Sequence, residues 1–129
     1  MNALNPRHLR LAYLSFFLIE SFDCFLYLTL SSQLFTESSI LTPPTVFFIR
    51  TNATTLFPFI LLIFLLRNQH VSGSVGRQVA RVFCLFHGVV LILIVVVRMT
   101  GSWGLEPFWV GVALHVVWLA SGVAALAGF

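Results

Sequence analysis

Glu20 and Asp23 stand three residues apart in the run Leu18-Ile19-Glu20-Ser21-Phe22-Asp23-Cys24-Phe25, two carboxyl groups in an otherwise apolar stretch. On a helix they share one face, with Phe16 a turn before and Tyr27 a turn after. The stretch from residue 11 to 30 is long enough to cross a bilayer, because about 20 residues rising about 1.5 Å each reach across about 30 Å of hydrocarbon. An ionisable group at that depth costs about 2.5–3.5 kcal/mol on insertion scales, so it normally faces protein or a cavity and marks function. Two carboxyls one turn apart in a low dielectric do not both ionise cheaply. One is expected to keep its proton at neutral pH while a cation such as Arg50 holds the other ionised, which places an acid and a base in one pocket.

Further groups able to take part lie on other spans at comparable depth. Helix rise puts Glu20 and Asp23 within about 5 Å of the midplane, His87 close to it, His115 about 3 Å beyond it and Arg50 about 9 Å beyond it on the same side. Gly111, His115, Trp118 and Gly122 follow a helical spacing and form one stripe, where glycine permits close approach of a neighbouring helix. Arg50, Thr54 and Phe57 share a face of their span, whereas Asn52 points about 200° away from Arg50. These positions predict a central polar cavity walled by Phe16, Tyr27, Phe57, Phe83 and Trp118. Glu20, Asp23, His87 and His115 are then the catalytic candidates, and Arg50, Tyr27, Asn52 and Trp118 the candidates for holding substrate. A protonated carboxyl would activate an epoxide oxygen or an alkene, a histidine or the ionised carboxyl would direct water or remove a proton, and aromatic faces would steady transient positive charge. Epoxide opening, cyclisation and double-bond isomerisation all suit this set, on a lipophilic substrate arriving sideways from the bilayer. Metal ligation by the two acids and two histidines is a weaker alternative, since no Cys or His spacing matches a structural metal site and the acid–base reading takes no metal and no cofactor. Adhesion is the bland alternative: an Asp23–Arg50 pair and histidines bonded to carbonyls would hold a bundle together, although such contacts average only about 0.6 kcal/mol where measured.

The elements that must position these groups are four spans, at about 11–30, 46–66, 79–97 and 107–127, in a single membrane domain covering 1–129. This predicts an all-α fold, an antiparallel four-helix bundle integral to the membrane. The connection 31–45 is long enough to act as a surface loop or a lid, with Pro43-Pro44 expected to force an extended lead into the second span. Pro58 deprives the Thr54 carbonyl of its helical partner, so a kink or a bond from a nearby Thr or Asn is expected there. Residues 67–78, with Ser72-Gly73-Ser74 and Gly76, are predicted to form a flexible loop, and Trp103 an interface anchor.

Composition bounds the rest. Of 129 residues 59% are hydrophobic and only 9% charged, with a mean hydropathy of +1.00, against about 25% charged in a soluble domain. The net charge of +3 rests on seven scattered arginines, which form no patch that could track phosphates, and nucleic acid is excluded as an expected partner. Arg7 and Arg10 with Arg67, Arg77 and Arg81 outnumber Arg50 and Arg98, which places both termini in the cytosol. The first span is longer than a signal-peptide core, holds two acids and lacks a small-residue cleavage site, so it is expected to be retained. Cys24 and Cys84 fall on opposite sides of the midplane, which makes a disulfide between them improbable. The expected setting is a multi-pass protein, in the endoplasmic reticulum of a eukaryotic cell, with lipid and a lipophilic small molecule as partners and self-association left open.

The four-span layout, the first connection ending Leu41-Thr42-Pro43-Pro44 and the helix opening Phe48-Ile49-Arg50-Thr51-Asn52-Ala53 resemble the small DoxX-like membrane proteins. They also resemble the small membrane epoxide hydrolases or cyclases encoded beside fungal polyketide synthases, of the aurovertin and citreoviridin type. The resemblance spans most of the chain, carries no diagnostic motif, and implies a hydrolase or isomerase acting on a polyketide secondary metabolite such as a mycotoxin. A non-catalytic small-molecule-binding or accessory subunit of a larger membrane complex is the alternative it implies, and a proton-coupled transporter a third.

Overall fold

The computed structural model describes residues 5–30, 42–99 and 108–129. Four helices run through them: α1 (Arg7–Thr29), α2 (Pro43–Leu66), α3 (Ser74–Met99) and α4 (Phe108–Ala127). Each contains a segment long and apolar enough to cross a membrane, and a spanning helix satisfies its own backbone where lipid offers no hydrogen-bonding partner. The chain is an all-α, multi-pass membrane protein folded as an antiparallel four-helix bundle.

Helix ends differ from the sequence expectation for local reasons. The first helix starts a turn early, at Arg7, because the Arg10 amide reaches the Pro6 carbonyl at 3.1 Å and Leu9 is fully buried. In α2 the extended lead expected before the prolines is confined to Thr42 (φ −78°, ψ 155°). Pro43 and Pro44 form the first helical turn, with Thr42 as the cap accepting from the Thr45 amide, since those positions need no amide donor. Pro58 sits inside a continuous α2, and the preceding threonines bond back to the helix. Thr54 Oγ1 donates to the Arg50 carbonyl at 2.7 Å and Thr55 Oγ1 to the Thr51 carbonyl at 3.0 Å. The loop expected over 67–78 is shorter, because α3 begins at Ser74. What remains is tied down: Asn5 Nδ2 donates to the carbonyls of Arg67 at 2.8 Å and Gln69 at 2.7 Å, and its Oδ1 accepts from the Val71 amide at 2.9 Å. Gly76 lets this turn press on the start of α3, since a Cβ there would collide with the Gln69 and His70 carbonyls. The candidate lid at 31–41 and Trp103 lie outside the described residues.

In cross-section α1 packs along α2 and α4, α3 packs along α4, and α2 and α3 touch least. The α1 and α3 backbones stand diagonally apart, and aromatic rings fill the space between them: Tyr13 on Phe83 at 4.9 Å between centroids, Phe16 on Phe83 at 5.3 Å. Outward faces carry Leu18, Phe22, Phe25, Leu85, Ile92 and many more exposed apolar side chains, as a surface that meets lipid requires.

Candidate functional site

His87 of α3 and His115 of α4 meet across the interface of those helices, Nδ1 to Nδ1 at 2.8 Å. One ring must donate and the other accept, because a neutral imidazole has one of each. His87 is fully buried, enclosed by Phe16 (5.0 Å), Phe83 (4.3 Å), Phe86 (5.1 Å) and Trp118 (5.0 Å) between ring centroids. Its Nε2 is buried with no hydrogen-bond partner among the described residues. His115 is half-buried and stands edge-on to Trp118, 5.3 Å away. Trp118 is fixed in turn, since its Nε1 donates to Ser15 Oγ of α1 at 2.9 Å, and that hydroxyl donates to the Ala12 carbonyl at 3.1 Å.

The approach of α3 to α4 depends on Gly122. A Cβ at that position would collide with Cys84 Sγ, so glycine sets the helix separation at which the two imidazoles meet. Gly111, a turn before His115 on the same stripe, has nothing within 4 Å of where a Cβ would stand among the described residues. By helix rise, the seven residues from Trp118 back to Gly111 span about 10 Å. Because α4 runs antiparallel to α1 and Trp118 is level with Ser15, Gly111 comes level with Phe22, between the two acids in sequence.

Glu20 and Asp23 continue the stripe of α1 that buries Leu9, Tyr13, Phe16 and Cys24. Both are half-buried, as is Tyr27 a turn further on, whereas Leu18, Phe22 and Phe25 on the other side of α1 are 58, 60 and 57% exposed. The acids therefore belong to the core-facing side of α1. Among the described residues no hydrogen bond or ion pair joins either carboxyl to Arg50, His87 or His115.

The single polar chamber expected from depth alone is thus divided. Phe16, fully buried, lies against His87 one turn below Glu20 and separates a carboxyl tier from a histidine tier. Phe16, Phe83 and Trp118 pack against one another as core, and Phe57 is 43% exposed rather than part of a wall. Arg50 is exposed, in an open groove of about 500 Å³ shared with Leu28, Val46, Phe47 and Thr51, and Asn52 is exposed as well. The reason is rotational: the α2 stripe that faces the bundle is Ala53, Ile60 and Ile63 with Leu56, which leaves Arg50 and Asn52 outside it.

Tyr13, Ser15, Phe59 and Phe86 are site residues that sequence reasoning missed. Extending the stripe of Phe16, Glu20, Asp23 and Tyr27 back by one turn reaches Tyr13, whose hydroxyl is buried without a hydrogen-bond partner among the described residues. Nothing local marks Ser15, whose role follows from the ring of Trp118. Among the described residues no group of three or more His, Cys, Asp or Glu is placed to hold a metal ion, and Cys24 and Cys84 are free thiols. No known family, curated protein or solved structure matches the chain.

Proposed function

We propose that the chain is a membrane-embedded acid–base enzyme that opens an epoxide, closes a ring or moves a double bond in a lipophilic secondary metabolite such as a polyketide. The observation that carries this reading is the pair Glu20 and Asp23, turned to the core side of α1 yet, among the described residues, bonded to no other helix. Adhesion needs a partner across the interface, and the carboxyls have none among the described residues. The cost of holding two ionisable groups at this depth is then offset by use rather than by packing.

The neighbourhood suits an apolar substrate. Where α2 and α3 diverge, Phe59, Leu62, Ile63, Val79 and Val82 line an open groove of about 440 Å³. Phe59 continues inward to Phe86 at 5.0 Å and Phe16 at 6.1 Å, an aromatic path from lipid to the core. In epoxide opening, one carboxyl gives its proton to the epoxide oxygen as the C–O bond breaks, and the other takes a proton from the water that attacks carbon. In isomerisation the same two groups add a proton at one carbon and remove one from another. The setting proposed is the endoplasmic-reticulum bilayer of a eukaryotic cell, with both termini cytosolic.

The test is product analysis in a host that makes the candidate lipophilic epoxide or polyene, expressing wild type, Glu20→Gln or Asp23→Asn at matched levels. Each variant is expected to lower turnover by about 10²–10⁴-fold, the usual worth of a general acid or base. Identical product profiles for all three would overturn the reading.

A further inference from the structure

The seven arginines are scattered along the sequence, but antiparallel folding gathers five of them at one end of the bundle. Arg7 and Arg10 lie at the start of α1, Arg67 caps the end of α2, and Arg77 and Arg81 lie at the start of α3. No acidic side chain accompanies them among the described residues. Of the four acids in the sequence, Glu20 and Asp23 sit midway along α1, and Glu37 and Glu106 belong to the connections α1–α2 and α3–α4. We infer that this end of the bundle binds the phosphate headgroup of an anionic glycerophospholipid, with Arg67 and Arg77 as fixed ligands and Arg7, Arg10 and Arg81 as the surrounding positive field.

Two features distinguish this end from a bare row of charges. The first is that its central turn is built. Asn5 ties together the carbonyls of Arg67 and Gln69 and the Val71 amide, and Arg77 Nε donates to the Val71 carbonyl at 3.4 Å. Arg67 Nη1 donates to the Phe64 carbonyl at 2.8 Å, and its guanidinium carbon stands 3.9 Å from the centroid of the Phe64 ring. Both guanidinium groups are thus held in place before a ligand arrives, which lowers the ordering cost of binding. The second feature is unused donors. A guanidinium has five N–H groups, and each of these bonds to a carbonyl takes one. The others have no acceptor among the described residues, and Arg10 Nε is buried without one as well.

A phosphate supplies what is missing: negative charge and several acceptor oxygens that match the guanidinium fork. Depth selects its source. These arginines stand at the ends of membrane-crossing segments, where long basic side chains carry their charge to the level of the lipid headgroups. The occupant is therefore a lipid of the surrounding leaflet.

This inference does not rest on the enzymatic reading. The test is electron spin resonance on full-length protein in phosphatidylcholine vesicles holding trace spin-labelled phosphatidic acid, phosphatidylglycerol or phosphatidylcholine, with the motionally restricted fraction read as relative association. Both leaflets have the same composition, so orientation does not enter. At about 0.01 M salt, where charges act over about 30 Å, both anionic lipids are expected to associate about fivefold or more above phosphatidylcholine, the worth of one arginine near a charged surface. Equal association of all three overturns the inference.

Arg67→Gln and Arg77→Gln should each lower that ratio several-fold, whereas Asn68→Ala, uncharged and exposed on the same turn, should leave it unchanged. Asn5→Ala keeps every charge and loosens the turn, so the ratio should fall there too; an unchanged ratio would mean a diffuse field and overturn the built site. If Arg67→Gln does not fold, having lost its bond to the Phe64 carbonyl, Arg77→Gln and Asn5→Ala decide. Inorganic phosphate, compared with chloride at equal ionic strength, should not displace labelled phosphatidic acid. Displacement would make this a site for free anions and overturn the assignment to lipid.

Discussion

Phe16 makes ring contacts with Phe59, Phe83, Phe86, His87 and Trp118, so one side chain of α1 reaches α2, α3 and α4 at once. A fully buried ring in such a position fills volume that no neighbour can fill by rotating, since the surrounding groups are themselves rigid rings. Phe16→Ala is expected to cost about 3–5 kcal/mol, measured as a fall in thermal midpoint in detergent, and to open the boundary between the acid and histidine tiers. Phe16→Leu retains most of the volume and should cost about half as much. A Phe16→Ala protein as stable as wild type would mean that the aromatic cage is looser than its geometry indicates. At this scale the sequence was legible in part: the carboxyl pair and both histidines stand out by type, but no local pattern distinguishes Phe16 as a partition from any of the other phenylalanines.

Between elements, the interface of α3 and α4 is set by one glycine. Gly122→Ala places a methyl group where Cys84 Sγ lies, and overpacking of this kind costs about 1–3 kcal/mol. The other atoms near that position, Phe83 Cδ1 at 3.5 Å and the Ala80 carbonyl at 3.8 Å, would make ordinary contacts. Cys84→Ala in the same chain removes the obstacle, so the double variant is expected to recover most of the loss. A double-mutant cycle of thermal stability measures this coupling, and simple additivity of the two changes would sink the assignment. Because the same interface brings His87 to His115, the single variant should also disturb the bond between the imidazoles. The spacing of Gly111, His115, Trp118 and Gly122 showed that this stripe was an interface; it did not show with which helix, and the partner thiol lies on a different span.

For the molecule as a whole, the N-terminal end of the described chain is fastened to the turn between α2 and α3 by the three hydrogen bonds of Asn5. These close the end of the bundle where the least-packed pair of helices meets, and Asn5 is only 2% exposed. Asn5→Ala would strand the carbonyls of Arg67 and Gln69 and the Val71 amide, at a cost of about 1–3 kcal/mol when such groups stay buried. The expected signature is faster amide hydrogen exchange across residues 67–73 with little change in the α3–α4 core. Uniform loosening of all four helices would instead make Asn5 part of a global lock.

The chain's own residues determined that it crosses a membrane four times and that two acids lie on the inward side of the first crossing. Helix length, apolar content and a period of 3.6 are local properties, and in lipid the backbone must close its hydrogen bonds within each span. Helix rotation and neighbours are not local. Whether Arg50 reaches a carboxyl, whether the two histidines bond, and whether acids and histidines share one tier or occupy two depend on how large rings from distant segments interlock. Tertiary structure decided those points, turning Ala53 and Ile60 of α2 inward instead of Arg50 and placing Phe16 between the acids and the imidazoles.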